Sequence, residues 1–108
     1  MNFANELYWG AAAGKNKRRI MSDLRRGRFC PAAYVVVLSE NGSDLLEIIP
    51  SSLLCNELYK KTHDITDLKV VGIGITKGEA EAVMRTIVED VYVETGTLDI
   101  KQRFTFKF

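Results

Sequence analysis

The residues with the clearest chemical character are arginines close to the start of the chain. A helix is predicted over residues 16–26, beginning at Asn16 and ending before Gly27, because Asn favours the first position of a helix and Gly the stop. Its outer face carries Arg18, Arg19, Ser22, Arg25 and Arg26. A guanidinium group fits the oxygen atoms of a phosphate. This face therefore predicts binding of a nucleic acid or another polyanion through the basic segment 15–28.

Two other interpretations of the arginines stay open. A charged face on a short helix is usually only solvated. No aromatic residues alternate with the arginines in the sequence, whereas surfaces that bind single strands normally supply them. The arginines could also pair with Glu81 and Glu89 on a neighbouring helix or subunit, which would be a structural role.

A glycine-rich segment, Gly72–Gly78, runs from a predicted strand into a predicted helix, where phosphate-binding loops occur. Its G-x-G-x-x-x-G spacing differs by one residue from the dinucleotide-binding pattern. Glu79 at the start of the helix also opposes an anion. Close approach of another element to the backbone at Gly72 and Gly74 is therefore the better interpretation.

The remaining reactive side chains show no arrangement typical of a catalytic or metal site. His63, the only histidine, lies near Cys55, Asp64 and Asp67, but these spacings match no ligand motif. The two cysteines, Cys30 and Cys55, lack zinc-type spacing, so we interpret them as reduced structural thiols. The sequence predicts no catalytic residue, no metal and no cofactor, and we expect that the protein is not an enzyme.

Length and composition indicate one ordinary globular domain over residues 1–108, with 46% apolar and 27% charged residues. The longest apolar run, residues 32–38, is too short to cross a membrane. Residues 1–6 lack the features of a signal peptide, so we expect a cytoplasmic protein. Residues 1–30 carry seven Lys and Arg against two acids, an asymmetry that suggests an anionic partner.

The best-specified structure is predicted in the last third of the chain. Thr76 and Glu79 have capping-box spacing, an apolar stripe continues over 77–95, and Gly96 stands where a helix ends. We therefore predict a helix over 77–95. Residues 98–108 alternate between apolar and polar side chains, which predicts a closing strand.

The first strand is predicted over residues 7–13. The reason is that Tyr8–Lys15 aligns without gaps with Val70–Lys77, which suggests two strand–helix units on the same sheet. Residues 51–61 are predicted to form a short amphipathic helix with a serine cap.

A β-hairpin is predicted from Ala33–Ser39 and Asp44–Ile49, joined at Asn41-Gly42 with Leu38 opposite Leu45. Both hairpin faces are then mostly apolar, so either helices cover both sides or one side meets another subunit. The candidate oligomer interface is formed by Tyr34, Val36, Leu38, Leu45 and Ile49.

These elements together predict an α+β protein with a mixed sheet of about five strands and two helices on one face. The plan resembles a variant of the ferredoxin-like βαββαβ fold with an added hairpin strand and short helix. That superfold hosts many functions and fixes none. The primary hypothesis is a non-enzymatic homo-oligomeric binding or assembly module, with nucleic-acid or polyanion binding as the alternative.

Overall fold

The computed structural model describes Ile100, Phe104 and residues 2–25, 33–38, 46–54, 56–62 and 68–96. In chain order the elements are strand β1 (Asn2–Trp9), a 3-10 turn (Ala13–Asn16), helix α1 (Lys17–Arg25), strands β2 (Tyr34–Leu38) and β3 (Leu46–Pro50), helices α2 (Ser51–Leu54) and α3 (Glu57–Thr62), strand β4 (Lys69–Gly74) and helix α4 (Lys77–Thr95). Within these ranges no helix is long and apolar enough to cross a membrane.

The described strands form one mixed sheet in the order β1-β4-β2-β3. Strand β1 runs parallel to β4, and β2 runs antiparallel to both β4 and β3. A mixed α+β architecture and the hairpin of β2 with β3 are thus confirmed. The predicted five strands and ferredoxin-like order are not, because the described part of the chain has four strands in this different order.

Helices cover both faces of the sheet. Helix α4 packs on one face through Ala80, Val83, Ile87 and Val91, together with Val36 and Leu38 of β2. Helix α1 packs on the other through Ile20 and Leu24, together with α2 and with Val35 and Val37 of β2. The prediction that the two longer helices share one face is therefore wrong.

The direction of the strands explains this difference. In a βαβ unit the two strands are parallel and the crossover is right-handed, which fixes the face that the helix covers. Here β1 is parallel to β4 while β2 is antiparallel to β4, so β1 and β2 run in opposite directions. The handedness rule does not apply to the β1–α1–β2 connection, and α1 can cover the face opposite α4.

The hairpin register differs by one residue from the predicted one. Leu38 pairs with Leu46, not with Leu45, and Val35 pairs with Ile49. Side chains alternate along a strand, so a shift by one residue moves every β3 side chain to the opposite face. Ile49 therefore lies on the α1 side of the sheet with Val35. The predicted Asn41-Gly42 turn falls on residues outside the described ones.

Helix α4 approaches the sheet closely at two glycines. A Cβ atom at Gly74 would stand 2.6 Å from the backbone nitrogen of Ala80, and one at Gly72 would stand 2.6 Å from Cγ1 of Val83. This is the close backbone packing predicted for the glycine pair. It leaves the helix in direct contact with β4, where a phosphate-binding loop would have left space.

Local signals predicted α4 correctly. The helix spans the predicted residues 77–95, the Thr76 hydroxyl accepts a hydrogen bond from the Glu79 amide at 3.1 Å, and Gly96 adopts φ 72°. In the predicted segment 51–61 the chain instead forms two helices, α2 and α3. Asn56 caps α3, because its Oδ1 accepts the Tyr59 amide at 3.1 Å.

Both predicted terminal strands require correction. Strand β1 begins at Asn2 and ends at Trp9, so only the first three residues of the predicted strand 7–13 belong to it. In the predicted closing strand, Ile100 is helical and Phe104 belongs to no strand, and the other residues lie outside the described ones. Both side chains are buried in the core on the α4 side of the sheet, and the Phe104 ring lies 5.9 Å from the Tyr8 ring.

Candidate nucleic-acid interface

Helix α1 presents a basic groove to solvent. Successive residues of a helix are rotated by about 100°, so the burial of Ile20 and Leu24 against the sheet turns another stripe outward. That stripe lines a groove of about 470 Å³, which we call the basic groove; its lining residues are Lys17, Arg18, Met21, Ser22 and Arg25. Lys17, Arg18 and Arg25 are exposed, and the acidic Asp23 is not part of the lining.

Strand β1 brings one aromatic ring to each end of α1. The Nζ atom of Lys17 lies 5.7 Å from the centre of the Trp9 ring. The Cζ atom of Arg25 lies 5.6 Å from the centre of the Phe3 ring. A cation within about 6 Å of a ring face is attracted by the ring's quadrupole. The aromatic residues that are missing from the linear sequence around the arginines are thus supplied by the neighbouring strand.

A cavity of about 540 Å³ lies between β1 and α1, and we call it the β1–α1 cavity. Its exposed surface is mostly polar; the lining residues are Asn2, Phe3, Ala4, Asn5, Leu7, Met21, Leu24 and Arg25. Met21 and Arg25 also line the basic groove. The cavity and the groove therefore adjoin.

A carboxylate from α4 holds the start of this helical segment. Glu79 Oε1 accepts hydrogen bonds from the backbone amides of Ala12, at 3.0 Å, and Ala13, at 2.9 Å. Glu79 Oε2 accepts one from the Ile75 amide at 3.2 Å. Among the described residues the 3-10 turn before α1 has no side-chain cap from its own Ala12. Glu79 therefore satisfies amide groups that the local sequence leaves without an acceptor.

The position of Glu79 follows from the topology. Strands β1 and β4 are parallel neighbours, and the helices that follow them lie on opposite sheet faces, so the chain turns away in two directions at this point. Such a switch point leaves a crevice at the carboxyl ends of the strands. Here the Glu79 side chain fills it, and a Cβ atom at Gly10 would collide with that side chain. The contact fixes where α1 leaves the sheet.

The structure separates the predicted arginines. Arg18 and Arg25 line the basic groove, whereas Arg19 is exposed about 100° further round the helix and is not part of the lining. Arg26 lies outside the described residues. Lys17, Phe3 and Trp9 were missed as site residues, because the aromatic side chains precede the helix and join it only through the packing of β1 on α1.

The predicted oligomer interface lies largely inside the chain. Val36 and Leu38 are buried beneath α4, while Ile49 is buried on the opposite face. Tyr34 is half-buried against the α4-side core, and Leu45 lies outside the described residues. A second subunit could contact Val36 only by displacing α4. The homo-oligomer itself stays a prediction.

The other candidate sites gain no support. His63, Asp64, Asp67, Cys30 and Cys55 lie outside the described residues. In the part of the chain that is described, no three His, Cys, Asp or Glu residues gather as metal ligands would.

The acidic face of α4 does not reach the basic groove within one chain. Glu81 and Glu89 are exposed on α4, and α1 lies on the other face of the sheet. Pairing between these acids and the arginines would therefore require a second molecule.

Comparison of the chain with known protein families, with curated proteins and with solved structures finds no match. The residues of the site are consequently the basis for any functional assignment.

Proposed function

We propose that the protein binds nucleic acid through the basic groove of α1. The observation that carries this proposal is the pairing of Lys17 with the Trp9 ring and of Arg25 with the Phe3 ring, beside the exposed guanidinium of Arg18. Basic side chains with interleaved aromatic rings are typical of surfaces that bind phosphate backbones and bases together.

The charge distribution supports the same partner. The basic groove concentrates three cations on one face of a nine-residue helix, and each cation can neutralise one backbone phosphate and release its counterions. The exposed acids Glu81 and Glu89 lie across the sheet, so they do not oppose a polyanion at this groove. Binding should weaken steeply as salt is raised.

The proposal is tested by fluorescence anisotropy of a labelled mixed-sequence oligonucleotide, with Arg18→Glu compared with Arg19→Glu. Both variants change the net charge equally and both residues are exposed on α1, but only Arg18 lines the groove. We expect Arg18→Glu to weaken binding about tenfold or more and Arg19→Glu to have a much smaller effect. A difference in affinity between the two variants would therefore reflect the position of the charge and not the net charge.

Two results would contradict the proposal. The first is no anisotropy change for wild type at low salt, where electrostatic binding is strongest. The second is an equal loss of affinity in both variants, which would indicate an unspecific response to net charge. Circular dichroism of both variants serves as the control for folding.

A further inference from the structure

We infer that the outer face at the end of α4 docks into the basic groove of a second copy of the chain. The inference goes beyond the proposed function, because it assigns a protein partner to a surface that the nucleic acid does not use. Two observations carry it: exposed apolar side chains at the end of α4, and charges there that are opposite in sign to those of the groove.

The end of α4 exposes two large apolar side chains. Tyr92 is 59% exposed and Val93 is 83% exposed, while Val91 beside them is buried against the sheet. The exposed Glu89 lies three and four residues before them, and residues at these spacings share one face of a helix. We call Glu89, Tyr92 and Val93 the α4 end surface. It offers an aromatic ring, an aliphatic group and a carboxylate to one partner.

The charges of this helix end oppose its own stability. Residues 86–95 carry three acids and no base, and one of these acids, Asp90, accepts a hydrogen bond from the Tyr8 hydroxyl at 2.7 Å. The C-terminus of a helix carries a partial negative charge, so basic side chains are the stabilising ones there. Acids at this place weaken the helix unless a cation offsets them. A cationic partner would supply that offset.

The basic groove is the complementary surface on the same chain. Its lining holds three cations, no carboxylate and the half-buried Met21. A methionine side chain is flexible and adapts to an apolar neighbour such as Val93. The Arg18 guanidinium can pair with the Glu89 carboxylate and stack on the Tyr92 ring of a second copy. Because the formal net charge is only +1, two copies do not repel each other strongly.

The contact joins copies head to tail. Helices α1 and α4 cover opposite faces of the sheet, so the groove and the α4 end surface of one copy point in opposite directions. This arrangement excludes a closed pair in which each copy fills the groove of the other. Each copy therefore uses its groove on one neighbour and its α4 end surface on another, a heterologous contact that adds copies in series.

Nucleic acid and the second copy compete for the groove. Both would contact Arg18 and the other cations of its lining, so a nucleic acid that occupies the groove displaces the α4 end surface of the neighbour. Nucleic acid should therefore dissociate the oligomers. Self-association should in turn reduce the fraction of grooves that are open to nucleic acid.

The test measures the average mass of the protein by sedimentation equilibrium over a range of concentrations at low salt, without nucleic acid. We expect the mass of wild type to rise above the 12.2 kDa of one chain as the concentration increases. Arg18→Glu and Glu89→Arg should each weaken association about tenfold or more, because like charges then face each other. An equimolar mixture of the two variants should associate again, because the two reversed charges then meet.

Two other charge reversals serve as matched controls. Arg19→Glu changes an exposed arginine of α1 that does not line the groove. Glu81→Arg changes an exposed acid of α4 that precedes Glu89 by about 12 Å along the helix axis. Both should leave association within about twofold of wild type, because these charges lie outside the contact. Circular dichroism verifies that every variant is folded.

The outcomes separate the inference from the proposed function. Wild type that stays a monomer at every concentration would overturn the inference, and so would a mixture of Arg18→Glu and Glu89→Arg that stays monomeric. Oligomers that persist when bound oligonucleotide saturates the protein would contradict the shared groove. Restored association in the mixture, with no oligonucleotide bound by wild type or by the monomeric Glu89→Arg, would establish the inference and reject the proposed function.

Discussion

The two sides of the sheet are built in different ways. On the α4 side, the helix lies against β4 so closely that a Cβ atom at Gly74 would meet the backbone of Ala80. On the α1 side, a cavity of about 540 Å³ remains between β1 and α1, with Phe3 and Leu24 among its lining residues. The first side is a closed core, and the second keeps an open space bordered by cations.

The difference teaches where a ligand can bind in a domain of this size. Close packing at Gly72 and Gly74 leaves no space between α4 and β4 at these two positions. The Glu79 carboxylate accepts hydrogen bonds from the amides of Ala12 and Ala13 and so fixes where the segment before α1 leaves the sheet, while a cavity beside β1 stays open. The same sheet thus combines a packed side with a side available for recognition.

The strongest test of the closed side is Val36→Glu. Val36 is fully buried beneath α4, so the substitution would place a carboxylate in an apolar core, and we expect it to cost at least about 4 kcal/mol and to unfold the chain. Urea unfolding followed by circular dichroism measures this. Val93→Glu is the matched control, since Val93 is 83% exposed on α4, and it should change stability by less than about 0.5 kcal/mol.

A folded Val36→Glu variant would contradict the placement of α4 over β2. If the wild type were a dimer and this folded variant a monomer, the hairpin face would be a subunit interface, and the account of a closed side would fail.

The next effect in size is expected for Gly74→Ala. The added Cβ would meet the backbone of Ala80, which cannot rotate away, so we expect a loss of about 1–3 kcal/mol in unfolding free energy. Gly78→Ala adds the same methyl group in the first turn of α4, where the nearest neighbour is the Thr76 hydroxyl at 4.0 Å. It should be neutral or stabilise by up to about 1 kcal/mol. Equal effects of the two substitutions would show that the close contact is absent.

A smaller loss of stability is expected at Glu79, which links α4 to the segment before α1. Glu79→Ala removes the acceptor of the Ala12, Ala13 and Ile75 amides, which should cost about 1–2 kcal/mol. Hydrogen exchange of the Ala12 and Ala13 amides should accelerate more than exchange within α4. Glu81→Ala, an exposed acid of the same helix, is the control and should be neutral. Unchanged protection at Ala12 and Ala13 would contradict the role of Glu79.

An element could be predicted from the sequence where the residues that determine it are neighbours along the chain. Helix α4 was predicted with its observed bounds, because the Thr76 cap, the apolar stripe and the Gly96 stop are all local. Strand β1 was displaced, because the segment after Trp9 turns away from the sheet and its amides bind Glu79, 67 positions from Ala12. No local pattern contains that contact.

The candidate nucleic-acid interface was also predicted only in part, because some of its residues are far apart in the sequence. Arg18 and Arg25 were predicted from their helical spacing, but the spacing alone could not separate them from Arg19, which faces elsewhere. Phe3 and Trp9 could be assigned to the site only after the strand bounds and the sheet face of α1 were known. The hairpin register was wrong by one residue, and that error exchanged the faces of the β3 side chains, Ile49 among them.

The most direct measurement uses Trp9, the only tryptophan of the chain, as a reporter inside the site. Its emission is followed while unlabelled single-stranded oligonucleotide is added to wild-type protein at low salt and then displaced by added salt. The account predicts saturable quenching that salt reverses and that Arg18→Glu weakens, because the base and phosphate contacts lie beside the Lys17–Trp9 pair. An anisotropy change of a labelled strand with unaltered Trp9 emission would place binding elsewhere and contradict the account.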